Sequence, residues 1–195
     1  MARTQGFDRD TVVRAARTLF WRQGYEDASV PDLERATGLS RSSLYNTFGS
    51  KRGLFDAAVD SYLEEVVRPR LRPLTREPVA AGAVVDYLAG LRGALERGDT
   101  MPAENGCLLV NSAGAPIARD APVARVIADY RDELHRALSR GISALRPALS
   151  PNERDRLGDA VTGLVMAAFT LARIDPAQAA GTLTAALHLI GEPDS

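Results

Sequence analysis

Apolar residues recur at helical spacing along almost the whole chain, and no stretch reads as a strand. Val12, Ala15, Ala16, Leu19 and Phe20 form the first stripe, opened by Asp8 or Asp10 and closed by Gly24. Residues 1–7 precede that cap and are expected to form a frayed arm, with Arg3 within reach of a phosphate or a minor groove. Two short segments follow. Ser29 and Asp32 have the spacing of a capping box, and Val30, Leu33 and Ala36 share one face of a helix over 30–37. Gly38 stops that helix, because glycine takes positive φ without steric cost. Ser40 caps the next helix, over 41–48, which buries Leu44 and Phe48 and turns Arg41, Ser42, Tyr45, Asn46 and Thr47 outward.

A fourth helix is expected over 51–67, with Leu54, Phe55, Ala58, Tyr62 and Val66 inward. Pro69, Pro73 and Pro78 then break the pattern, so 68–78, carrying Arg68, Arg70, Arg72 and Arg76, reads as a solvated loop. Helices are expected over 79–97 and 121–145, with a loop over 98–106 and a short apolar helix over 107–113 between them. The segment 157–174 is apolar nearly all round, and a last helix carries Ala180, Leu183, Leu187 and Ile190. The fold class is therefore all-α, with about nine helices. The pattern divides the chain into a head over 1–50, a connecting helix over 51–68 and a body over 69–195.

Helix, glycine turn and a second helix rich in small hydrogen-bonding side chains make a helix-turn-helix. Its chemistry suits a major groove. Arg41 can make two hydrogen bonds to a guanine edge and Asn46 the same to adenine, each giving about 1–3 kcal/mol of discrimination. Tyr45 and Thr47 have the length for phosphate oxygens or a thymine methyl. Lys51 is the only lysine among 24 basic residues, and it sits where the first amides of a helix favour an anion. The expected DNA contacts are Ser29, Ser40, Arg41, Ser42, Ser43, Tyr45, Asn46, Thr47 and Lys51.

From Val12 to Leu54 the chain resembles the DNA-binding domain of TetR-family one-component regulators. Phe20, Gly24, Tyr25, Ser29, Leu33, Gly38, Leu39, Leu44, Tyr45, Phe48, Ser50, Lys51 and Leu54 carry the likeness. Two positions depart from it: Thr47 stands where the family usually has histidine, and Pro31 where some members have a basic side chain. The resemblance implies a homodimer on a palindromic double-stranded operator, most often a repressor released by a small-molecule effector.

Charge modifies the picture slightly. The net charge of −1 alone argues against a nucleic-acid partner, but residues 1–55 hold nine basic against six acidic side chains and the rest fifteen against nineteen. A basic head on an acidic body fits a DNA-docking unit attached to a sensing unit. The absence of a long apolar run or a leader at the start, and a single cysteine, point to a reducing cytoplasm and no membrane partner. His135 and His188 lie on different helices, and no metal spacing, phosphate loop or nucleophile motif appears, so neither a metal nor an enzyme is expected.

Two C-terminal helices with more apolar surface than one core needs suggest pairing across a two-fold axis. Leu157, Val161, Leu164, Val165, Ala168, Leu183, Leu187 and Ile190 are the expected interface, and the TetR resemblance implies the same two helices. The effector cavity is expected among Tyr87, Leu91, Met101, Cys107, Leu108, Asn111, Tyr130, Leu134, Met166, Phe169 and Thr170, which read equally well as plain core. Cys107 opens a helix, where a thiolate is favoured. The stretch GCLLVNSA resembles a TetR-family branch that senses electrophiles and hypochlorite through a cysteine after glycine, although Gly114-Ala115-Pro116 replaces that branch's usual acidic residue. A small buried side chain is the competing role for Cys107. The competing class for the whole chain is a helical protein-interaction or small-molecule-binding module, which would show no salt-dependent DNA affinity.

Overall fold

Side-chain caps fix where most helices begin. Asp8, Ser29, Ser40, Ser50, Thr100, Asp120 and Ser150 each accept a hydrogen bond from a first-turn amide, satisfying donors that a helix start otherwise leaves open. The computed structural model describes residues 8–98 and 100–191, so the arm expected at residues 1–7 lies outside the described residues. Helix α1 runs Arg9–Asp27, interrupted at Gly24 (φ 83°), with α2 at Val30–Thr37 and α3 at Arg41–Phe48. A long rod, α4, comprises Lys51–Tyr62, a π-helical turn Leu63–Val67 and Arg68–Thr75. Helix α5 is Ala83–Arg97. After a single turn at Met101–Asn105 come α6 (Leu108–Ala113), a 3-10 turn (Pro116–Arg119), α7 (Ala121–Leu145), α8 (Pro151–Leu171) and α9 (Pro176–Gly191). No strand occurs among the described residues.

Three boundaries differ from the sequence reading. The chain stays helical through Arg68, Pro69 and Pro73 instead of forming a solvated loop. In a regular helix the ring of Pro69 would meet the carbonyl of Glu65; the π-helical turn ahead of it widens the ladder where that contact would fall. The signal for continuation was the pair Leu71 and Leu74, which are 2% and 0% exposed. Helix α5 starts at Ala83, because Ala80 to Ala83 closes a turn (amide to carbonyl, 3.0 Å) after the cis Glu77–Pro78 bond. Residues 101–105, expected as loop, form one capped turn.

One contiguous buried cluster extends from Val12 to Ile190. On one side of α1, Phe20 meets Phe55 edge-on (5.2 Å between centroids) and Tyr25 packs on the same ring (5.1 Å). On the other, Trp21 meets Tyr62 edge-on at 4.8 Å, and its indole Nε1 donates to the Gly106 carbonyl at 3.1 Å. The helix-turn-helix head thus shares its core with the body. Leu74→Ala is expected to destabilise the chain by about 2–5 kcal/mol in urea unfolding. A change below about 0.5 kcal/mol, usual for a surface position, would return residues 68–78 to the loop.

Candidate nucleic-acid interface

Backbone and caps hold the two short helices at a fixed angle. In α2 the Ser29 hydroxyl accepts from the Asp32 amide, and the Asp32 carboxylate accepts in return from the Ser29 amide at 3.2 Å. The Ser29 hydroxyl, the Ser29 amide and Arg35 hold the Asp32 carboxyl below its ordinary range. A depressed carboxyl stabilises the fold above its unfolded value, and that contribution fades as pH falls through the folded value. Gly38 ends α2 in the left-handed region (φ 71°). A clamp not foreseen from the sequence follows: the Glu34 carboxylate accepts from the Arg41 amide at 2.6 Å, so α2 caps the start of α3. Glu34 seven residues before Arg41 was the available signal.

The residues expected on the outward face of α3 differ in exposure. Arg41, Ser42 and Asn46 are exposed, and the Arg41 guanidinium lies 5.3 Å from the centroid of the half-buried Tyr45 ring. That stacking, worth about 0.5–1 kcal/mol at an exposed site, steadies two long side chains on one surface. Ser40 hydrogen-bonds with Ser42 (3.0 Å) and Ser43 (3.1 Å). Ser29 and Ser43 serve the caps and the Thr47 hydroxyl donates to the Ser43 carbonyl at 2.8 Å, so these hydroxyls hold the helices first. Lys51 is half-buried, with Nζ 4.5 Å from the Tyr25 centroid and donating to the Glu26 carbonyl at 3.3 Å. Burial pulls its pKa down while Glu26 and Asp27 push it up. Arg9, overlooked in the sequence, stacks 5.2 Å from the Phe48 ring beside the end of α3.

Several contacts tie this head to the body. The Glu26 carboxylate accepts from the Ile117 amide at 2.7 Å, Arg52 pairs with Asp120 at 2.6 Å, and Arg173 donates to the Arg22 carbonyl at 3.3 Å. Glu26 therefore touches both the 3-10 turn of the body and the Lys51 ammonium.

In the body, the candidate effector residues separate into two groups. Cys107, Leu108, Tyr130 and Leu134 are 0–3% exposed and pack on one another, with the Cys107 thiol donating to the Tyr130 hydroxyl at 3.5 Å. Burial, reinforced by Cys107, pushes the Tyr62 and Tyr130 phenols up, so they remain neutral. Met101, Asn111 and Met166 are half-buried, Asn111 donating to the Asn105 carbonyl at 2.7 Å. Thr170 is exposed, its hydroxyl returned to the Met166 carbonyl at 3.0 Å. Only Tyr87, Leu91 and Phe169 of the expected set line an open groove of about 610 Å³, shared with Arg70, Pro73, Arg76, Asp86 and Pro102. The arginine side of the groove was missed because the end of α4 was read as loop.

The residues expected at the dimer face divide between core and surface within one chain. Val161, Val165, Ala168, Leu183 and Ile190 are at most 1% exposed within one chain, already committed to its own core. Leu157, Leu164 and Leu187 are half-buried. The outward stripe consists of Ala160, Gly163 and Ala167 on α8 and Gly181, Ala185 and Leu189 on α9. Ile174, at 76%, and Leu189, at 37%, are the exposed large apolar side chains among the described residues.

A capped helix-turn-helix on a larger helical body defines the class of helix-turn-helix regulators. The family model for bacterial regulatory proteins of the tetR family matches residues 12–58. The uncharacterized HTH-type transcriptional regulator YezE of Bacillus subtilis is 33% identical over 142 residues, 73% of this chain and 72% of its own. The chain belongs to the tetR family. The HTH-type transcriptional repressor ComR of Escherichia coli is 36% identical over 111 residues, 56% of this chain, a match spanning about half of ComR (51%). Among solved structures, a cysteine mutant of the TetR family regulator CifR, complexed with 26-bp double-strand operator DNA, superposes with a TM-score of 0.77. It is 27% identical, over 96% of this chain and 98% of that one. No described helix is long and apolar enough to cross a membrane, and no described group of three His, Cys, Asp or Glu side chains is placed to hold a metal.

Ser29→Ala is expected to cost about 0.5–2 kcal/mol in urea unfolding without DNA, the usual loss of an N-cap. An unchanged midpoint would assign Ser29 to DNA contact alone.

Proposed function

We propose that this chain is a sequence-specific DNA-binding transcriptional regulator, acting as a homodimeric repressor on a palindromic operator. The observation that carries the reading is the outward face of α3, where exposed Arg41 and Asn46 flank the half-buried Tyr45 ring after a doubly capped turn. The likeness to CifR bound to operator DNA supports it. Arg41 and Asn46 read base edges, while Tyr45 and Lys51 hold phosphates and set the register. Lys51 is well suited to this. Its ammonium is already partly desolvated on Tyr25 and anchored at the end of α1, so a phosphate gains a charge that needs little reordering.

Two such helices must stand about 34–36 Å apart to enter successive major grooves. The outward stripe of α8 and α9 supplies the pairing: Gly163, Ala167, Gly181 and Ala185 lack bulk, so two copies can approach closely, with Ile174 and Leu189 at the margins. An effector enters the groove between α4 and α5 and favours a dimer with another head spacing, which releases DNA by population shift. The Cys107 thiol is fully enclosed and bonded to Tyr130, so its environment supports packing more strongly than direct modification.

Gel shifts on the intergenic DNA beside the gene test both halves of the proposal. Tyr45→Ala and Lys51→Ala should each weaken binding at least tenfold while the protein still sediments as a dimer. Ala167→Arg should yield folded monomers with a comparable loss. Undiminished binding by all three variants would contradict the assignment.

A further inference from the structure

The groove beneath α4 and α5 is chemically asymmetric. One wall is apolar and shallow because α5 presents Tyr87, Gly90, Leu91 and Ala94 along it, with Phe169 beyond. A side chain added at Gly90 would meet nothing within 4 Å, so the space over this wall is open. The other wall carries Arg70 and Arg76. Of their basic neighbours, Arg68 pairs with Glu64 and Glu133 and Arg140 with Glu77, while Arg72 lines a separate cleft beside Glu64 and Glu133. Arg70 and Arg76 have no ion-pair partner among the described residues. Asp86, in the first turn of α5, is the one carboxylate lining the groove, and the positive end of its own helix stabilises it. Two guanidinium groups against one carboxylate leave the groove electropositive next to an apolar wall.

Arginine is the side chain best matched to planar anions, since its fork donates two parallel hydrogen bonds to a carboxylate or sulfonate. We propose that the groove takes an amphipathic organic anion, with its acidic group on Arg70 and Arg76 and an aromatic or aliphatic body against Tyr87, Leu91 and Phe169. A volume of about 610 Å³ accommodates a body of two or three rings. Arg70 and Tyr87 both line the groove, so an acidic group on the arginine lies close to the aromatic wall. The inference rests on reading this groove as the effector site.

Two fluorescent probes that differ only in the acid test it: 1-anilino-8-naphthalenesulfonate and uncharged N-phenyl-1-naphthylamine. Both are titrated into the DNA-free protein. Replacing both arginines (Arg70→Gln with Arg76→Gln) should weaken the sulfonate at least tenfold and change the neutral probe less than twofold. Asp86→Asn should tighten the sulfonate about two- to threefold, and Gly90→Trp, which fills open space, should exclude both probes. Equal response of the two probes to loss of the arginines, or unchanged sulfonate binding in that variant, overturns the proposal. Operator binding of the double-glutamine variant without probe should match the parent. A chain that binds its operator but does not discriminate the probes loses the anion site alone. One that discriminates them but ignores DNA keeps the anion site and loses the regulatory reading.

Discussion

The hydrogen bond from the Trp21 indole to the Gly106 carbonyl lies in a buried seam, and the rest of the structure depends on that seam. Trp21 belongs to the first helix of the DNA-binding head and Gly106 to the body. Gly106 can be only glycine here: its φ is 66°, and a Cβ would sit 2.4 Å from the Phe169 carbonyl. Phe169 in turn lines the groove between α4 and α5. Groove, Phe169 backbone, Gly106 and Trp21 are therefore in direct succession, and α1 cannot tilt without disturbing the body. Glu26 forms a parallel link through the Ile117 amide and the Lys51 ammonium. A chain of direct contacts therefore joins the groove to the helix-turn-helix head.

The head is built with little excess of basic charge. The head carries a modest excess of positive side chains, yet it sets them with side-chain caps and stacking instead of relying on number. Glu34 fixes the start of α3, Tyr45 supports Arg41, and Tyr25 supports Lys51. Pre-positioned side chains lose less conformational freedom when they meet DNA, which leaves more of each contact available for affinity.

How far the chain could be read without a structure follows from the range of each interaction. The helix-turn-helix was legible because caps, glycine stops and i, i+4 apolar pairs act within eight residues of one another. The continuation of α4 was not, because Pro69 and Pro73 locally argue for a break, and the Leu71 and Leu74 burial that outweighs it comes from helices far along the chain. Helix α8 shows a different limit. When a helix is apolar nearly all round, periodicity cannot say which face turns inward. Val161 and Val165 went to the chain's own core, while smaller Gly163 and Ala167 were left outside. Cys107 was conspicuous in the sequence by its uniqueness, and the fold closes three tyrosine-bearing helices over it.

The proposed dimer would hold two α3 helices one turn of the duplex apart through paired α8–α9 stripes. Hydroxyl-radical footprinting of the protein on its own intergenic DNA tests this most directly. A dimer of this kind leaves two protected patches related by a dyad, centred one helical turn apart, at about 10–10.5 base pairs or a small multiple of it. A single patch, or uniform weak protection without symmetry, would contradict it.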